Sequence, residues 1–260
     1  MRALADWVVP EVIGVFTDID DTLTTDGAIT PEALQALADL KAAGLQVVPI
    51  TGRPVGWSEP FAQTWPVGAI VAENGAVALV HEEAQPLRKR YQQDAATRTA
   101  HFARMQQVLV RIEREVPGAQ RARDSAGRET DIAIDHSEFT HLHQTAIDAV
   151  VRLMQAEGMT ATVSSIHVNG WYGEHDKLAG ARWIVRELWN RDLDAERDRW
   201  VYVGDSANDQ VMFQHFPHSV GVANIRRFAD QLTHPPRYVT QAERGAGFAE
   251  LARHLLQGRA

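Results

Sequence analysis

The feature that most restricts the fold is a strand, a helix and a second strand near the start of the chain. EVIGVFT (residues 11–17) is rich in valine and isoleucine, which is typical of a buried strand. TPEALQALADLKAAG (30–44) is typical of a helix, because Thr30 can cap its first turn and Pro31 suits its first helical position. LQVVPIT (45–51) predicts the second strand. Such a unit requires a parallel sheet with a right-handed crossover, so both strands end at the same sheet edge.

The rest of the chain predicts further elements of two kinds. AIVAENGAVAL (69–79) places Asn74-Gly75 between apolar runs and predicts a hairpin. From about residue 82 to residue 128 the sequence is polar and predicts a long helix at 97–116. A strand at 130–136, a helix at 142–158 and a strand at 160–170 are predicted to follow. A buried pattern then returns, with helices at 177–190 and 248–257 and strands at 199–205 and 218–224. This order favours a smaller α+β domain inserted into the first one.

Acidic and hydroxyl side chains gather where the predicted strands end. Asp18, Asp20 and Asp21 follow the first strand in VFTDIDDTLTTDG (15–27), and like charges this close need a cation or solvent. The other residues expected at this edge are Thr51 and Gly52 after the second strand, Asp205 after the strand at 199–205, and Lys177 at the start of the preceding helix. Carboxylates from two strand ends form an oxygen-rich site that suits Mg²⁺.

The same set of residues indicates phosphoryl transfer. The Thr51 hydroxyl, the Gly52 amide and the Lys177 ammonium are donors suited to the oxygens of a phosphoryl group. Asp18 can act as the nucleophile, because a carboxylate can form an aspartyl-phosphate. Asp20 can protonate the leaving oxygen and later deprotonate water.

Composition narrows the classes of partner and site. The chain carries a formal net charge of −8 and has no cysteine, which excludes disulfides and thiolate chemistry. Its acidity argues against a nucleic-acid partner. No apolar run approaches the length needed to cross a membrane, so we expect a cytoplasmic protein whose partner is a small phosphorylated molecule. Its oligomeric state does not follow from the sequence.

Four motifs in order, DIDDTLT, ITGRP, DK and GDSANDQVMF, resemble those of haloacid dehalogenase superfamily phosphatases. The resemblance implies Asp18 as nucleophile, Asp20 as acid and base, and Thr51 and Lys177 as phosphate-binding residues. It also implies Mg²⁺ held by the side chains of Asp18 and Asp205 and the carbonyl group of Asp20. Asn208 and Asp209 would lie behind these groups and orient water and Lys177.

The segment between the second and third motifs resembles the α/β cap of the branch that includes sucrose-phosphate and mannosyl-phosphoglycerate phosphatases. AENGA and GAGFAEL also resemble that branch, and Asp21, where many relatives carry glycine, mildly supports a sugar phosphate. We therefore expect an α/β fold: a doubly wound, Rossmann-like parallel sheet formed by residues 1–82 and 170–260, with an α+β cap at 83–169. The cap would move as a lid on linkers near residues 79–83 and 168–173.

Five further residues are candidates for substrate contacts, each with a simpler alternative. Arg53 could bind phosphate, contact the cap or form a surface ion pair. Arg123 and Arg128 flank a turn and could reach the cleft or be solvated, and His167 and Asn169 could bind hydroxyl groups or serve only as polar residues near a linker.

Three functions remain open at this point. The first is a Mg²⁺-dependent phosphomonoester hydrolase, most simply one for a sugar phosphate. A phosphomutase of the same superfamily would need more cationic residues in the cap. A receiver-like, phosphate-sensing binder would need no inserted cap.

Overall fold

The structure is a computed structural model and describes residues 1–81 and 85–258. In chain order its strands and longer helices are β1 (Arg2–Ala3), β2 (Gly14–Thr17), β3 (Thr24–Thr25), β4 (Ala28–Ile29), α1 (Pro31–Ala42), β5 (Gln46–Pro49), α2 (Val55–Thr64), β6 (Ala69–Ala72), β7 (Val77–Val80), β8 (Arg88–Tyr91), α3 (Ala95–Glu115), β9 (Gln120–Arg121), β10 (Ile132–Asp135), α4 (Gln144–Ala156), β11 (Thr160–Val163), β12 (His167–Trp171), α5 (Lys177–Trp189), β13 (Trp200–Gly204), α6 (Gln210–His215), β14 (His218–Gly221), β15 (Tyr238–Val239) and α7 (Arg244–Gln257).

The core is a parallel sheet with strand order β1-β15-β14-β13-β2-β5. The predicted strand-helix-strand unit is confirmed as β2, α1 and β5, and Thr30 caps α1 by accepting a hydrogen bond from the Ala33 amide. The chain leaves β2 toward β5 on one side and adds β13 on the other. The strand order therefore reverses between β2 and β13, the position at which open α/β sheets bind ligands.

Helices cover both faces of this sheet, so the predicted doubly wound α/β class is confirmed. Val15 and Val201 point to the face that packs against Leu37 of α1. Their neighbours Phe16 and Tyr202 point to the opposite face, where α5 packs. Because side chains alternate along a strand, both faces are apolar and the strands are buried throughout.

A second, smaller sheet extends the core beside β5. Strands β6, β7 and β8 pair antiparallel, and a bridge between Ile50 and Val71 joins them to the end of β5. The predicted hairpin is confirmed, and Asn74 and Gly75 adopt positive φ angles of 55° and 107° in its turn. Gly75 lies so close to the start of α5 that a Cβ there would be 2.2 Å from the Asp176 carbonyl oxygen. This turn fixes the position of Lys177.

The inserted α+β cap has its own sheet and core. Its antiparallel sheet has the order β11-β12-β10-β9, and α3 and α4 pack on it around residues such as Leu109, Ile134 and Val150. The prediction of a single strand at 160–170 is wrong. β11 and β12 form a hairpin instead, because the Ser164 hydroxyl accepts a hydrogen bond from the His167 amide and stabilises a turn.

The strand pairing bears on where the cap begins and ends. β8 pairs with β7 of the core, whereas β12 runs to Trp171 within the cap sheet. The predicted first boundary at 82 and 83 lies outside the described residues, as does the end of the core at 260. Among the described residues, every helix is too short or too polar to cross a lipid bilayer.

Candidate active site

Three buried carboxylates meet at the edge where β2 and β13 end. The Asp18 amide donates to the Val203 carbonyl oxygen at 2.9 Å, which ties the end of β2 to β13. Asp205 follows β13 directly, and Asp209 lies in the short helical turn after it. One carboxylate oxygen from each of the three lies within 4.8 Å of the others. We call Asp18, Asp205 and Asp209 the acidic cluster.

Lys177 joins two members of this cluster. Its buried Nζ donates to Asp18 Oδ1 and to Asp209 Oδ1, both at 2.7 Å. Lys177 is the first residue of α5, whose N-terminus is capped by the Asp176 side chain. A lysine at this end is unfavourable to the helix dipole, and here the two carboxylates offset that cost.

Asp209 is the most firmly held of the three. Its Oδ2 accepts hydrogen bonds from the amides of Asp205 at 2.9 Å and Ser206 at 3.1 Å, and the Tyr202 hydroxyl donates to Oδ1. Glycine is needed at 204, because a Cβ there would lie 2.3 Å from the Asp209 carboxylate. Asp209 was predicted to lie behind the site and orient Lys177; the structure places it in direct contact with that lysine.

The acidic cluster contains more negative charge than its surroundings neutralise. The pKa of Asp18 is raised to about 7, chiefly by burial; Lys177 lowers it, and the nearby charges of Asp209 and Asp20 contribute to the rise. Burial, followed by the charges of Asp18 and Asp209, also raises the pKa of Asp205 well above its ordinary value. Three carboxylates with one ammonium fit a divalent cation, which would supply the missing positive charge.

Two of the three residues predicted to hold a cation, Asp18 and Asp205, belong to the acidic cluster. The third predicted ligand is the carbonyl group of Asp20, and it stays a prediction; the side chain of that residue points to Arg53. Asn224 was not predicted, although its Nδ2 donates to Asp205 Oδ2 at 3.2 Å and to the Asp21 carbonyl oxygen at 3.0 Å. A polar residue at the end of the predicted strand at 218–224, shortly after β14, was the available signal.

Thr51 and Gly52 lie beside the cluster, after β5. The buried Thr51 Oγ1 accepts a hydrogen bond from the Arg53 amide at 3.0 Å, which leaves its hydroxyl hydrogen to donate. The Gly52 carbonyl group is held from the cap, by Arg128 at 3.0 Å and Asn169 at 3.4 Å. These bonds orient the Thr51-Gly52 backbone. The Thr51 hydroxyl and the Gly52 amide stay the predicted donors to a phosphoryl oxygen.

Arg53 connects Asp20 to the cap. Its Nε lies 3.0 Å from both Asp20 oxygens, and its Nη atoms contact Asp124 at 3.3 Å and Glu138 at 2.8 Å. The side chain is buried and stacks over Trp57 with 4.9 Å between the guanidinium carbon and the ring centroid. Of the alternatives open for Arg53, the structure shows the cap contact. The acids Asp124 and Glu138 were not predicted.

A second buried arginine binds the two domains together. Arg128 Nη1 contacts both oxygens of Asp131, at 2.7 and 2.9 Å, and Asn169 donates to Asp131 at 3.1 Å. Glu73 of the core accepts hydrogen bonds from the amides of Glu129 and Thr130 on the cap side. We call Glu73, Arg128, Asp131 and Asn169 the core–cap seam.

The remaining predicted residues are spread around the site. His167 Nε2 lies 3.0 Å from Glu138 Oε2, and the exposed Arg123 stacks over the Phe139 ring at 3.8 Å. Asn208 accepts a hydrogen bond from the Ser206 hydroxyl at 2.7 Å. The structure thus brings Asp18, Asp205, Asp209 and Lys177 into contact, places Asp20 and Arg53 together, and leaves Arg123 at the outer rim.

Two cavities lie near this edge, one lined by Asp20 and the other by Lys177. One, of about 530 Å³, lies between the loop after β2 and the cap and is lined by Asp20, Arg53 and Glu138 among others. The other, of about 400 Å³, is lined by Lys177, Asn208 and Thr162 among others. Both have the size of small-molecule sites.

Comparison with known proteins agrees with this geometry. The family model of the haloacid dehalogenase-like hydrolases matches residues 15–116, while no curated protein sequence is significantly similar to the chain. Among solved structures, protein 0175 of Thermoplasma acidophilum superposes with a TM-score of 0.71 at 17% identity, over 95% of this chain and 99% of that one. Sucrose-phosphatase from Synechocystis, solved with sucrose and phosphate, gives 0.67 at 16% identity, over 95% and 98%.

A sugar phosphatase of haloacid dehalogenase subclass IIB gives a TM-score of 0.63 at 14% identity, over 93% of this chain and 98% of that one. At identities this low, these superpositions show a shared fold over almost the whole chain. The sequence match covers the first two motifs. The chain is therefore similar to the haloacid dehalogenase-like hydrolases in sequence over residues 15–116, and it shares the fold of the solved structures named above over almost all of its length.

Proposed function

We propose that the protein is a Mg²⁺-dependent phosphomonoester hydrolase that acts on a small phosphorylated metabolite, a sugar phosphate, through an aspartyl-phosphate at Asp18. The observation that supports this most directly is Lys177 held between Asp18 and Asp209 at 2.7 Å, with Asp205 close by. Three buried acids and one lysine match a site that binds a divalent cation and a phosphoryl group together.

In the first half of the proposed reaction, a carboxylate oxygen of Asp18 attacks phosphorus and the bond to the leaving oxygen breaks. Asp20 gives its proton to that oxygen, so the leaving group departs as an alcohol. Thr51, Gly52 and Lys177 donate hydrogen bonds to the phosphoryl oxygens. Bound Mg²⁺, held by Asp18, Asp205 and the Asp20 carbonyl group, would neutralise charge on the phosphoryl group.

In the second half, Asp20 takes a proton from water as the water oxygen attacks phosphorus. The bond between phosphorus and the Asp18 oxygen breaks, inorganic phosphate leaves, and the Asp18 carboxylate is restored. Asp20 must therefore change partners between Arg53 and the substrate. Its bond to Arg53 depends on the cap through Glu138, which supports the proposal that the cap moves as a lid.

The choice of a sugar phosphate rests on relatives with the same cap, namely the sucrose-phosphatase and the subclass IIB sugar phosphatase. A phosphomutase needs cations for a second phosphate. Arg53 and Arg128, the buried arginines nearest to the site, are both engaged by carboxylates. The hydrolase is therefore preferred. The division into a core (1–82, 170–260) and a cap (83–169) is part of this proposal, and the pairing of β8 and β12 supports slightly later boundaries on both sides.

The test is phosphate release from a panel of sugar phosphates, nucleotides and phosphoglycerate esters, with Mg²⁺ and with EDTA. We expect Mg²⁺-dependent release by the wild type, and a loss on the order of 10³-fold or more in Asp18→Asn, since the nucleophile is removed. Asp148→Asn, an exposed acid on α4 of the cap, is the matched control and should keep full activity. Comparable turnover by Asp18→Asn, or turnover that EDTA leaves intact, would refute the proposal.

A further inference from the structure

The cavity beside Asp20 is the one suited to the leaving group of the substrate. An acid can protonate the leaving oxygen only within hydrogen-bond reach, so the leaving group must lie on the side of Asp20. Asp20 lines the 530 Å³ cavity and not the 400 Å³ cavity near Lys177 and Asn208. The chemistry of the larger cavity therefore bears on substrate choice, provided that the proposed hydrolase function holds.

This cavity is lined mainly by negative charge. Four carboxylates face it, from Asp20, Asp21, Asp26 and Glu138, and Arg53 is the one cation among its described lining residues. Arg244, outside the lining, pairs with Asp21 at 3.1 Å and Asp26 at 2.8 Å. Four acids against two arginines leave a negative surface.

Most donors of Arg53 are engaged by acids of the cap. A guanidinium carries five N–H groups. Nε faces Asp20 at 3.0 Å, Nη1 faces Asp124 and Glu138, both at 3.3 Å, and Nη2 faces Glu138 at 2.8 Å and Asp20 at 2.9 Å. When Asp20 turns to the substrate, the contacts of the Nη atoms with Asp124 and Glu138 remain. A carboxylate or second phosphate on the substrate would thus meet like charges and an arginine that is still paired with two carboxylates.

The same lining suits hydroxyl groups. A carboxylate can accept about four hydrogen bonds. Glu138 accepts from Arg53 and lies beside His167, so it retains room for one donor. Its neighbours Ser137 and Phe139 also line the cavity, and Phe139 is 53% exposed, so apolar surface lies at the rim although Arg123 stacks over the ring. Sugars are commonly held by carboxylate acceptors and an apolar face, so this combination fits an uncharged polyol.

We infer that the leaving group of the substrate is uncharged and rich in hydroxyl groups, and that Glu138 selects against a second negative charge on it. Among the esters compatible with a sugar-phosphate hydrolase, this excludes phosphorylated sugar acids and bisphosphates. The competing possibility is Arg123, which is exposed beside Phe139 and could attract an anion from the rim.

The decisive comparison uses two open-chain esters that differ at one end, sorbitol 6-phosphate and 6-phosphogluconate. The first ends in a hydroxymethyl group and the second in a carboxylate. We expect kcat/KM to favour sorbitol 6-phosphate by about tenfold or more, because tenfold corresponds to about 1.4 kcal/mol and one uncompensated like charge at close range costs at least that. Raising the salt concentration should narrow the ratio.

Two variants assign the effect to this cavity. Glu138→Gln keeps the shape but removes one charge, and should narrow the ratio at least about threefold. Glu115→Gln makes the same change in charge on the exposed part of α3 and should leave the ratio unchanged. Because the readout is a ratio, any general loss of activity from weaker cap contacts cancels. If Glu138→Gln leaves the ratio of kcat/KM between the two esters unchanged, the proposed role of Glu138 is wrong.

p-Nitrophenyl phosphate separates the two levels of the proposal, since its leaving group has no hydroxyl chain or acid. If sorbitol 6-phosphate or 6-phosphogluconate is not turned over, its inhibition constant against p-nitrophenyl phosphate cleavage is measured instead. The two compounds can then be ranked whether or not both are substrates. If p-nitrophenyl phosphate is cleaved and 6-phosphogluconate is used or bound as well as sorbitol 6-phosphate, the inference fails while the hydrolase stands. If none of the three esters releases phosphate with Mg²⁺, both fail.

Discussion

The acidic cluster and the core–cap seam both bury carboxylates, but Asp18 and Asp205 of the cluster accept fewer hydrogen bonds than Glu73 of the seam does. In the seam, Glu73 accepts from the amides of Val55, Glu129 and Thr130 and from the Thr130 hydroxyl. In the cluster, the Asp18 carboxylate accepts from one side chain among the described residues, that of Lys177. Asp205 Oδ2 accepts a hydrogen bond from Asn224 Nδ2 at 3.2 Å, and Asp205 Oδ1 lies 3.5 Å from the Thr22 hydroxyl.

The comparison shows what distinguishes a buried charge that holds a fold from one that awaits a ligand. A buried carboxylate costs free energy unless hydrogen bonds or opposite charge compensate it. The seam supplies these from the protein, so its charges serve to dock the cap. Burial raises the pKa of carboxylates in both regions, for Asp131 as for Asp18 to about 7, so the pKa does not separate them. Asp18 and Asp205 differ in keeping open lone pairs, and this unfilled capacity is where a cation and a phosphoryl group would act.

The largest expected effect is a difference in the free energy of unfolding between two variants, one that loses a charge in the seam and one that loses a charge in the cluster. Arg128→Met should lower the free energy of unfolding by about 3 kcal/mol, because Asp131 then stays buried without its cation. Asp18→Asn should leave it unchanged or raise it, because it removes excess negative charge beside Asp205 and Asp209. Urea denaturation of the metal-free proteins measures both. Equal destabilisation by the two variants would show that the cluster is as fully compensated as the seam.

An intermediate effect is expected from His175, which lies between the cap strand β12 and Lys177. Its ring is buried against Trp171 and its Nε2 has no hydrogen-bond partner among the described residues. Burial, with a smaller contribution from His101, lowers the pKa of His175 to about 4. Because an unfolded histidine has a pKa near 6.5, protonation favours the unfolded state, and stability is lost as the pH falls from about 6.5 toward 4.

By pH 5 this coupling should cost the wild type about 2 kcal/mol relative to pH 7. The check is the difference in unfolding free energy between the wild type and His175→Gln at pH 7 and pH 5, since the other titrating groups are common to both proteins. We expect the variant to lose less stability than the wild type over this interval. Parallel pH profiles would mean that His175 is already protonated or hydrated in the folded state.

The two regions also differ in how far the sequence predicts them. Asp18, Lys177 and Asp205 can be placed together from the sequence, because the residues that follow parallel strands meet at one edge and the four motifs keep their order. The pairing of Arg53 with Glu138 cannot be predicted from the sequence, since the two residues are 85 positions apart and meet only when the cap packs against the core. Similarly, charge alone does not show that Arg128 is buried rather than solvated at its turn.

The fold shows the same division between local and distant effects. The strand-helix-strand unit and the Asn74-Gly75 hairpin follow from local patterns. Helix α2 was not predicted, because Pro54 and Pro60 interrupt its sequence, yet it forms with Pro54 at its N-cap. The turn between β11 and β12 depends on the Ser164 hydroxyl. The β-branched residues around it predict one continuous strand, so the turn was not predicted.

The smallest effect expected is the stabilisation of the folded protein by Mg²⁺ through the acidic cluster. At a free concentration ten times its dissociation constant, a ligand that binds only the folded state adds about 1.4 kcal/mol. For a chain of this size that corresponds to a rise in Tm of about 3–6 °C. Asp205→Asn should abolish the rise, because it removes a carboxylate from the proposed site, whereas Glu73→Gln in the seam should keep it at a lower starting Tm. A rise in the wild type that Asp205→Asn retains would place the cation elsewhere, and the distinction between unfilled and filled carboxylates would then lose its functional meaning.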